Sequence, residues 1–195
     1  MEEMLSQLGG GDPTEGHCVL YKAWAAGNWG LVLTGEPSRC CSAFRRRADP
    51  ATGNVMVSST HLGSPADIIA PSPSSSTYEQ SLAAYRAWAD ASHGDSPTSR
   101  PVVIMQLCHT GRQSPRGSGR SPFKAPLAPS AVPLDTGAGL LATAFGKVMW
   151  QAPEAMTVQD IQGVVGEFLS AARMVKETGF DGVQLHASHG CVATR

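Results

Sequence analysis

The run Gly179-Phe-Asp-Gly-Val-Gln-Leu-His-Ala-Ser-His-Gly190 restricts the fold of this chain more than any other stretch. Gly179 reads as a helix stop, and Val183 and Leu185 then alternate as the apolar face of a short buried strand. His186 and His189 follow at its carboxyl end, where α/β folds place their chemistry. A second run, Val102-Val-Ile-Met-Gln-Leu-Cys-His-Thr-Gly-Arg112, has the same plan, with Gln106, His109 and Arg112 leaving an apolar strand. Two strands that end in polar groups predict one shared site.

Three helix-then-strand units surround these runs. The first is predicted to start at Asp12-Pro13, a side-chain cap with proline in the first helical position. It carries Cys18, Leu20, Tyr21 and Trp24, stops near Gly27 and leads to a strand over 29–34. The second opens on a capping box, Ser76-Thr-Tyr-Glu79, and continues with Tyr78, Leu82, Tyr85, Trp88 and Ala89 at helical spacing before strand 102–107. The third starts at Thr157, with Asp160 where a negative charge suits the helix dipole. Val158, Ile161, Val164, Val165, Phe168, Leu169, Ala172 and Val175 form its predicted buried stripe, and strand 180–186 follows.

Alternating helices and continuous apolar strands predict an α/β fold with a parallel sheet covered by helices. A closed (β/α)8 barrel takes roughly 250 residues, so 195 residues with three units make either a small open domain or part of something larger. Residues 109–156, rich in Gly, Pro, Ser and Arg, read as a lid-like loop. Residues 36–53 form a basic segment without apolar period, either a solvated surface loop or a polyanion-binding patch.

Composition narrows the function classes. A formal net charge of −1 gives no electrostatic reason to expect nucleic acid. No apolar stretch approaches the ~20 residues that span a bilayer, and no basic start precedes an apolar run, so neither a membrane nor a secretory route is expected. The five cysteines include an adjacent pair and no Cys-x-x-Cys, which favours a reducing compartment, with the cytoplasm as the expected location. His186 and His189 resemble a metal half-site in spacing, but no third ligand falls at a suitable position, so no metal is expected. Taken alone, each histidine could equally be a hydrogen-bonded structural residue, and Gln106 could simply cap a strand.

Gln106-Leu-Cys-His-Thr-Gly-Arg112, Arg120-Ser-Pro-Phe123 and Ala128-Pro-Ser-Ala-Val-Pro133, together with the run from Gly179 to Gly190, resemble the old yellow enzyme family, and within it the fungal NADH:flavin oxidoreductase/NADH oxidase branch. Trp29-Gly-Leu-Val-Leu-Thr-Gly35 is similar to the second strand of that family. The resemblance implies a partial TIM (β/α)8 barrel, roughly strands 2 to 4 with their helices. It implies FMN as cofactor, NADH or NADPH as reductant, and a small-molecule acceptor such as an activated alkene. By the same resemblance Gln106 and Asn54 lie at the flavin, and His186 and His189 donate to the substrate carbonyl, where enolate charge develops. His109 and Arg112 are expected to brace the lid, and Cys108 to be a small packed side chain.

Four departures accompany the likeness. The family's first strand is expected to be missing before Met1. Residues 36–53 interrupt what the family runs directly from Gly35 into Asn54, and are expected to be a non-native insertion. Cys191 stands where the family usually has a proton-donating tyrosine. Beyond Gly190 the tail 191–195 is unrelated, so strands five to eight and the phosphate-binding loops are expected to be absent. The predicted outcome is an FMN oxidoreductase by descent, crippled by truncation. Two other readings are an inactive fragment that pairs through exposed sheet edges, with itself or with another protein, and a small binding module using basic residues 39–47.

Overall fold

A computed structural model of the chain describes residues 12–34, 56–58, 68–71, 73–116, 122–135, 137 and 139–187. In chain order the elements are α1 (Glu15–Ala25), β1 (Leu31–Leu33), β2 (Met56–Ser58), β3 (Ile68–Ile69), α2 (Tyr78–His93), β4 (Val102–Leu107), β5 (Leu127–Ala128), α3 (Leu140–Met149), β6 (Glu154–Ala155), α4 (Val158–Glu177) and β7 (Gly182–Leu185). The three expected helix-then-strand units are α1–β1, α2–β4 and α4–β7. Their strands form one sheet in the order β1-β4-β7, parallel throughout. This is the partial α/β barrel layout expected from the motifs.

The centre strand shows why the sheet needs helices. Val103, Met105 and Leu107 are fully buried, while Val102, Ile104 and Gln106 alternate onto the other face. The buried side packs on Leu82, Tyr85, Trp88 and Ala89 of α2, on Ala171, Met174 and Val175 of α4, and on Tyr21 of α1. Trp88 is the hub: its ring meets Tyr21 at 5.2 Å, Phe180 at 5.4 Å and His17 at 5.6 Å, each edge to face.

Helix starts differ from the sequence expectation in two places. Thr14, in extended backbone, caps α1, and Asp12-Pro13 lies before the helix. The Thr14 N–H donates to His17 Nδ1 at 3.1 Å, a partner two to three residues too far along for Asp12 to use. At α2 the Ser76–Glu79 box does not form. Thr77 is the cap residue and its N–H donates to Ser75 Oγ at 3.2 Å, so the helix begins one residue later than the box requires. α4 does start after Thr157, as expected, and there Thr157 and Asp160 form a reciprocal capping box. Gly179, with φ +94°, ends the run after α4 in a conformation that side-chain-bearing residues rarely adopt.

The predicted stripe of α4 is only half covered. Val164 and Val175 are buried, and Phe168 and Ala172 pack against the core, but Val158, Ile161, Val165 and Leu169 are exposed. Apolar residues run round too wide an arc for one sheet contact, and the described residues place nothing against the second side. The lid-like segment is also more ordered than a loop: it holds α3 and a parallel pairing of β5 with β6. Leu, Ala, Lys and Met between Gly139 and Trp150 are good helix formers, and they outweigh the Gly and Pro on either side.

Among the described residues, no helix is long and apolar enough to cross a membrane, and no three His, Cys, Asp or Glu side chains stand together as a metal site.

Candidate active site

Strand register brings the polar ends of β4 and β7 together. Gln106 is level with Gln184, and Leu107 with Leu185. Level residues on parallel strands share a face, so both glutamines lie on the side away from the Trp88 core. Their amides touch: Gln106 Nε2 donates to Gln184 Oε1 at 2.8 Å. The His186 N–H donates to Leu107 O at 2.8 Å and carries the ladder one residue past β7. Alternation then puts His186 on the same face as the two glutamines. Gln106 and His186 therefore lie on one face, at the same end of adjacent strands. Asn54 and His189 lie outside the described residues.

Thr34 supports this corner from the other strand. It is fully buried just past β1, and its N–H donates to Ile104 O at 2.9 Å. Its Oγ1 accepts the Gln106 backbone N–H, also at 2.9 Å. Gln184 and Thr34 were not among the site residues read from sequence. The repeated Gln-Leu pair at the end of both strands, Gln106-Leu107 and Gln184-Leu185, was the signal that could have revealed the first. Thr34 offered none, because its partner is a backbone amide set by register.

The turn after β4 is built from its own residues. His109 is buried, and its Nδ1 accepts the Gly111 N–H at 3.2 Å, so that nitrogen carries no proton. Cys108 is buried, as a packed side chain should be. The bracing of the lid falls to residues further on. Trp150 Nε1 donates to Gln113 O at 2.9 Å, and Arg116 donates through Nε to Val148 O at 3.1 Å and through its backbone N–H to Met149 O at 2.6 Å. A guanidinium on the final carbonyls of α3 also suits that end of the helix dipole. Arg112 Nε is buried with no hydrogen-bond partner among the described residues.

This donor set fits the polar edge of a planar heterocycle. An amide offers donor and acceptor side by side. It does not extend to a phosphate. α4 starts at the carboxyl end of β4, since it must return antiparallel to the strands, but the N–H groups of Thr157 and Asp160 in its first turn are taken. Asp160 Oδ2 accepts the Thr157 N–H at 2.8 Å, and Thr157 Oγ1 accepts the Asp160 N–H at 3.2 Å. Donation to Oδ2 from the Thr157 hydroxyl and from the Thr157 backbone N–H holds the Asp160 carboxyl below its usual range.

Residues 40–194 match the family model of the NADH:flavin oxidoreductase / NADH oxidase family. The chain belongs to that family. It is 38% identical over 179 residues to the NADH-dependent flavin oxidoreductase iliE of Neonectria sp. (strain DH2), covering 91% of this chain and 20% of that protein. It is 41% identical over 179 residues to iccE of Talaromyces variabilis, described in the same words, covering 90% of this chain and 37% of that protein. The chain thus spans well under half the length of these curated relatives. In fold it resembles the old yellow enzyme homologue from Zymomonas mobilis, with TM-score 0.60, 22% identity, and coverage of 98% of this chain and 44% of that one. Morphinone reductase is similar to the same degree, with TM-score 0.60 and 21% identity.

Proposed function

We propose that the mouth formed by β4 and β7 is part of the flavin seat of an FMN-dependent oxidoreductase that uses NADH or NADPH and a small-molecule acceptor, an activated alkene being the acceptor the motifs favour. The observation that carries this reading is the placement of Gln106 and His186 on one face, at one end of adjacent parallel strands. FMN bound there would supply hydride transfer between the nicotinamide and the acceptor. Gln106 holds the polar ring edge through its amide. His186, with His189 three residues on, donates to the acceptor's carbonyl and stabilises negative charge there. Asn54 is assigned to the ring as well. Family membership and relatives named as NADH-dependent flavin oxidoreductases support the assignment.

The described residues offer contacts to the ring but spend two donors of the nearest helix N-terminus on their own side chains. This chain is therefore expected to bind FMN weakly, and riboflavin about as well as FMN. Quenching of flavin fluorescence measures both. Q106A should weaken both ligands by about tenfold, the worth of one hydrogen bond of ~1.4 kcal/mol. Wild-type protein that quenches neither flavin, or a Q106A variant that binds like wild type, would refute the seat.

A second reading rests on exposed apolar surface. Leu31 on β1 and Val183 and Leu185 on β7 are exposed at the two edges of the sheet, beside the open face of α4. Open parallel edges of this kind pair with other strands. Self-association of this chain through them is the corresponding proposal, and concentration-dependent sedimentation distinguishes it from a monomer.

A further inference from the structure

We propose that Gln184 is a positioning residue: it fixes the side-chain amide of Gln106 with its nitrogen toward β7, leaving the Gln106 carbonyl oxygen to accept from a ring N–H. This inference rests on the flavin reading for the identity of the ligand, but the hydrogen bond itself does not depend on it.

A glutamine at a strand end can present its amide either way round, because Nε2 and Oε1 are nearly the same size. The direction of presentation decides which ligand edges it recognises. Here one Nε2 hydrogen is committed to Gln184 Oε1 at 2.8 Å. Rotating the Gln106 amide alone by half a turn, with Gln184 kept in place, would set two carbonyl oxygens against each other. Thr34 adds a second constraint from the opposite side, since its hydroxyl accepts the Gln106 backbone N–H. The backbone and the amide of the same residue are therefore held by neighbouring strands on both flanks, β1 and β7. What remains for a ligand is Oε1 and the second Nε2 hydrogen, an adjacent acceptor and donor. That pattern matches a cyclic imide edge, in which N–H and C=O stand side by side, as in the pyrimidine end of a flavin or in uracil.

Chemistry at position 184 separates this assignment from a merely structural one. Glutamate can only accept at neutral pH, so Q184E keeps the bond if Gln106 is the donor. Leucine can do neither, and lysine can only donate, so Q184L and Q184K lose or reverse it. The measurement is the Gln106 side-chain NH2 pair in nitrogen-15 NMR of the full chain, assigned by its disappearance in Q106A. Wild type and Q184E should show two well-separated, slowly exchanging amide protons. Q184L and Q184K should show the pair at the shifts and the faster solvent exchange of an exposed glutamine. The His186 backbone amide, which reports the β4–β7 ladder, should stay in place in all four proteins.

Titration with FMN supplies the ligand arm. Q184L should bind about tenfold more weakly than wild type, and Q184E within about twofold of it. A Gln106 amide signal unchanged in Q184L, or lost in Q184E while the His186 amide is kept, would overturn the assignment. So would Q184L binding FMN as wild type does. Should wild type bind no flavin, the flavin reading fails by itself, and the NMR comparison still decides whether Gln184 positions Gln106.

Discussion

Asp181 Oδ2 stands 2.8 Å from His93 Nε2 and accepts the Val103 N–H at the same distance, at the end of the sheet opposite Gln106 and His186. Arg100 reaches its other oxygen at 3.3 Å. One carboxylate thus ties the end of α2, the start of β4 and the start of β7 to each other. Partial burial pushes the Asp181 carboxyl up, but the Val103 N–H, the His93 ring and Arg100 outweigh it and hold it below its usual range. The clasp fixes the strand register from below, and register is what sets Gln106 level with Gln184.

D181A should therefore destabilise the fold by about 2 kcal/mol, by removing the acceptor of a partly buried N–H and of His93. The clasp's contribution is full above the unfolded carboxyl value of 3.8 and is lost as pH falls through the lower folded value. Urea denaturation of wild type and D181A at pH 7 and pH 3 checks both statements. The gap between the two proteins should shrink at the acid end.

His17 gives the fold a second acid sensitivity, which sets in at higher pH. Burial lowers its pKa from 6.5 to about 4, and its Nδ1 is engaged by the Thr14 N–H. The ring is neutral in the fold, whereas the unfolded chain takes up a proton near 6.5. Between those values the unfolded state holds more protons, so stability falls as pH drops from 6.5 toward 4. H17Q keeps an acceptor for Thr14 and cannot titrate. Its urea midpoint should change less than that of wild type between pH 7 and pH 5, and equal slopes would remove His17 as the cause.

The architecture was legible because its signals are local. Leu82, Tyr85, Trp88 and Ala89 announce one face of α2 at helical spacing, and all four are buried. The Thr157–Asp160 box and Gly179 mark the ends of the α4 unit by side-chain chemistry that needs no distant partner. What escaped was set by register and by neighbours. Gln184 matters because it lies level with Gln106, and Thr34 because its hydroxyl meets a backbone amide from another strand. The burial of Val158, Ile161, Val165 and Leu169 was expected from periodicity, which reports apolar faces but not what covers them. Helix α3 was hidden by the Gly and Pro that flank it.

Thr34 links the first strand to the site and can be tested without any ligand. T34V keeps the shape of the side chain but leaves the Gln106 N–H without its acceptor. The expected cost is about 1–3 kcal/mol for an unsatisfied, partly buried donor. T34S restores the hydroxyl and should recover most of that loss. Amide hydrogen exchange at Gln106 is the direct reading, and it should quicken in T34V and return in T34S.

The open side of α4 makes a last prediction about solution behaviour. Val165 and Leu169 are 52% and 53% exposed, and with Val158 and Ile161 they form an apolar ridge one helical face wide. The proposed self-association should run through this ridge beside the β7 edge, since water gains by its burial. V165E/L169E places charge in the middle of the ridge without touching the buried face that carries Val164, Ala171, Met174 and Val175. Its stability should stay within about 0.5–1 kcal/mol of wild type, as for exposed positions generally. Sedimentation velocity across a concentration series should show the wild-type weight-average mass rising and that of the variant staying at 20.4 kDa. Equal masses at every concentration would mean that this ridge carries no association.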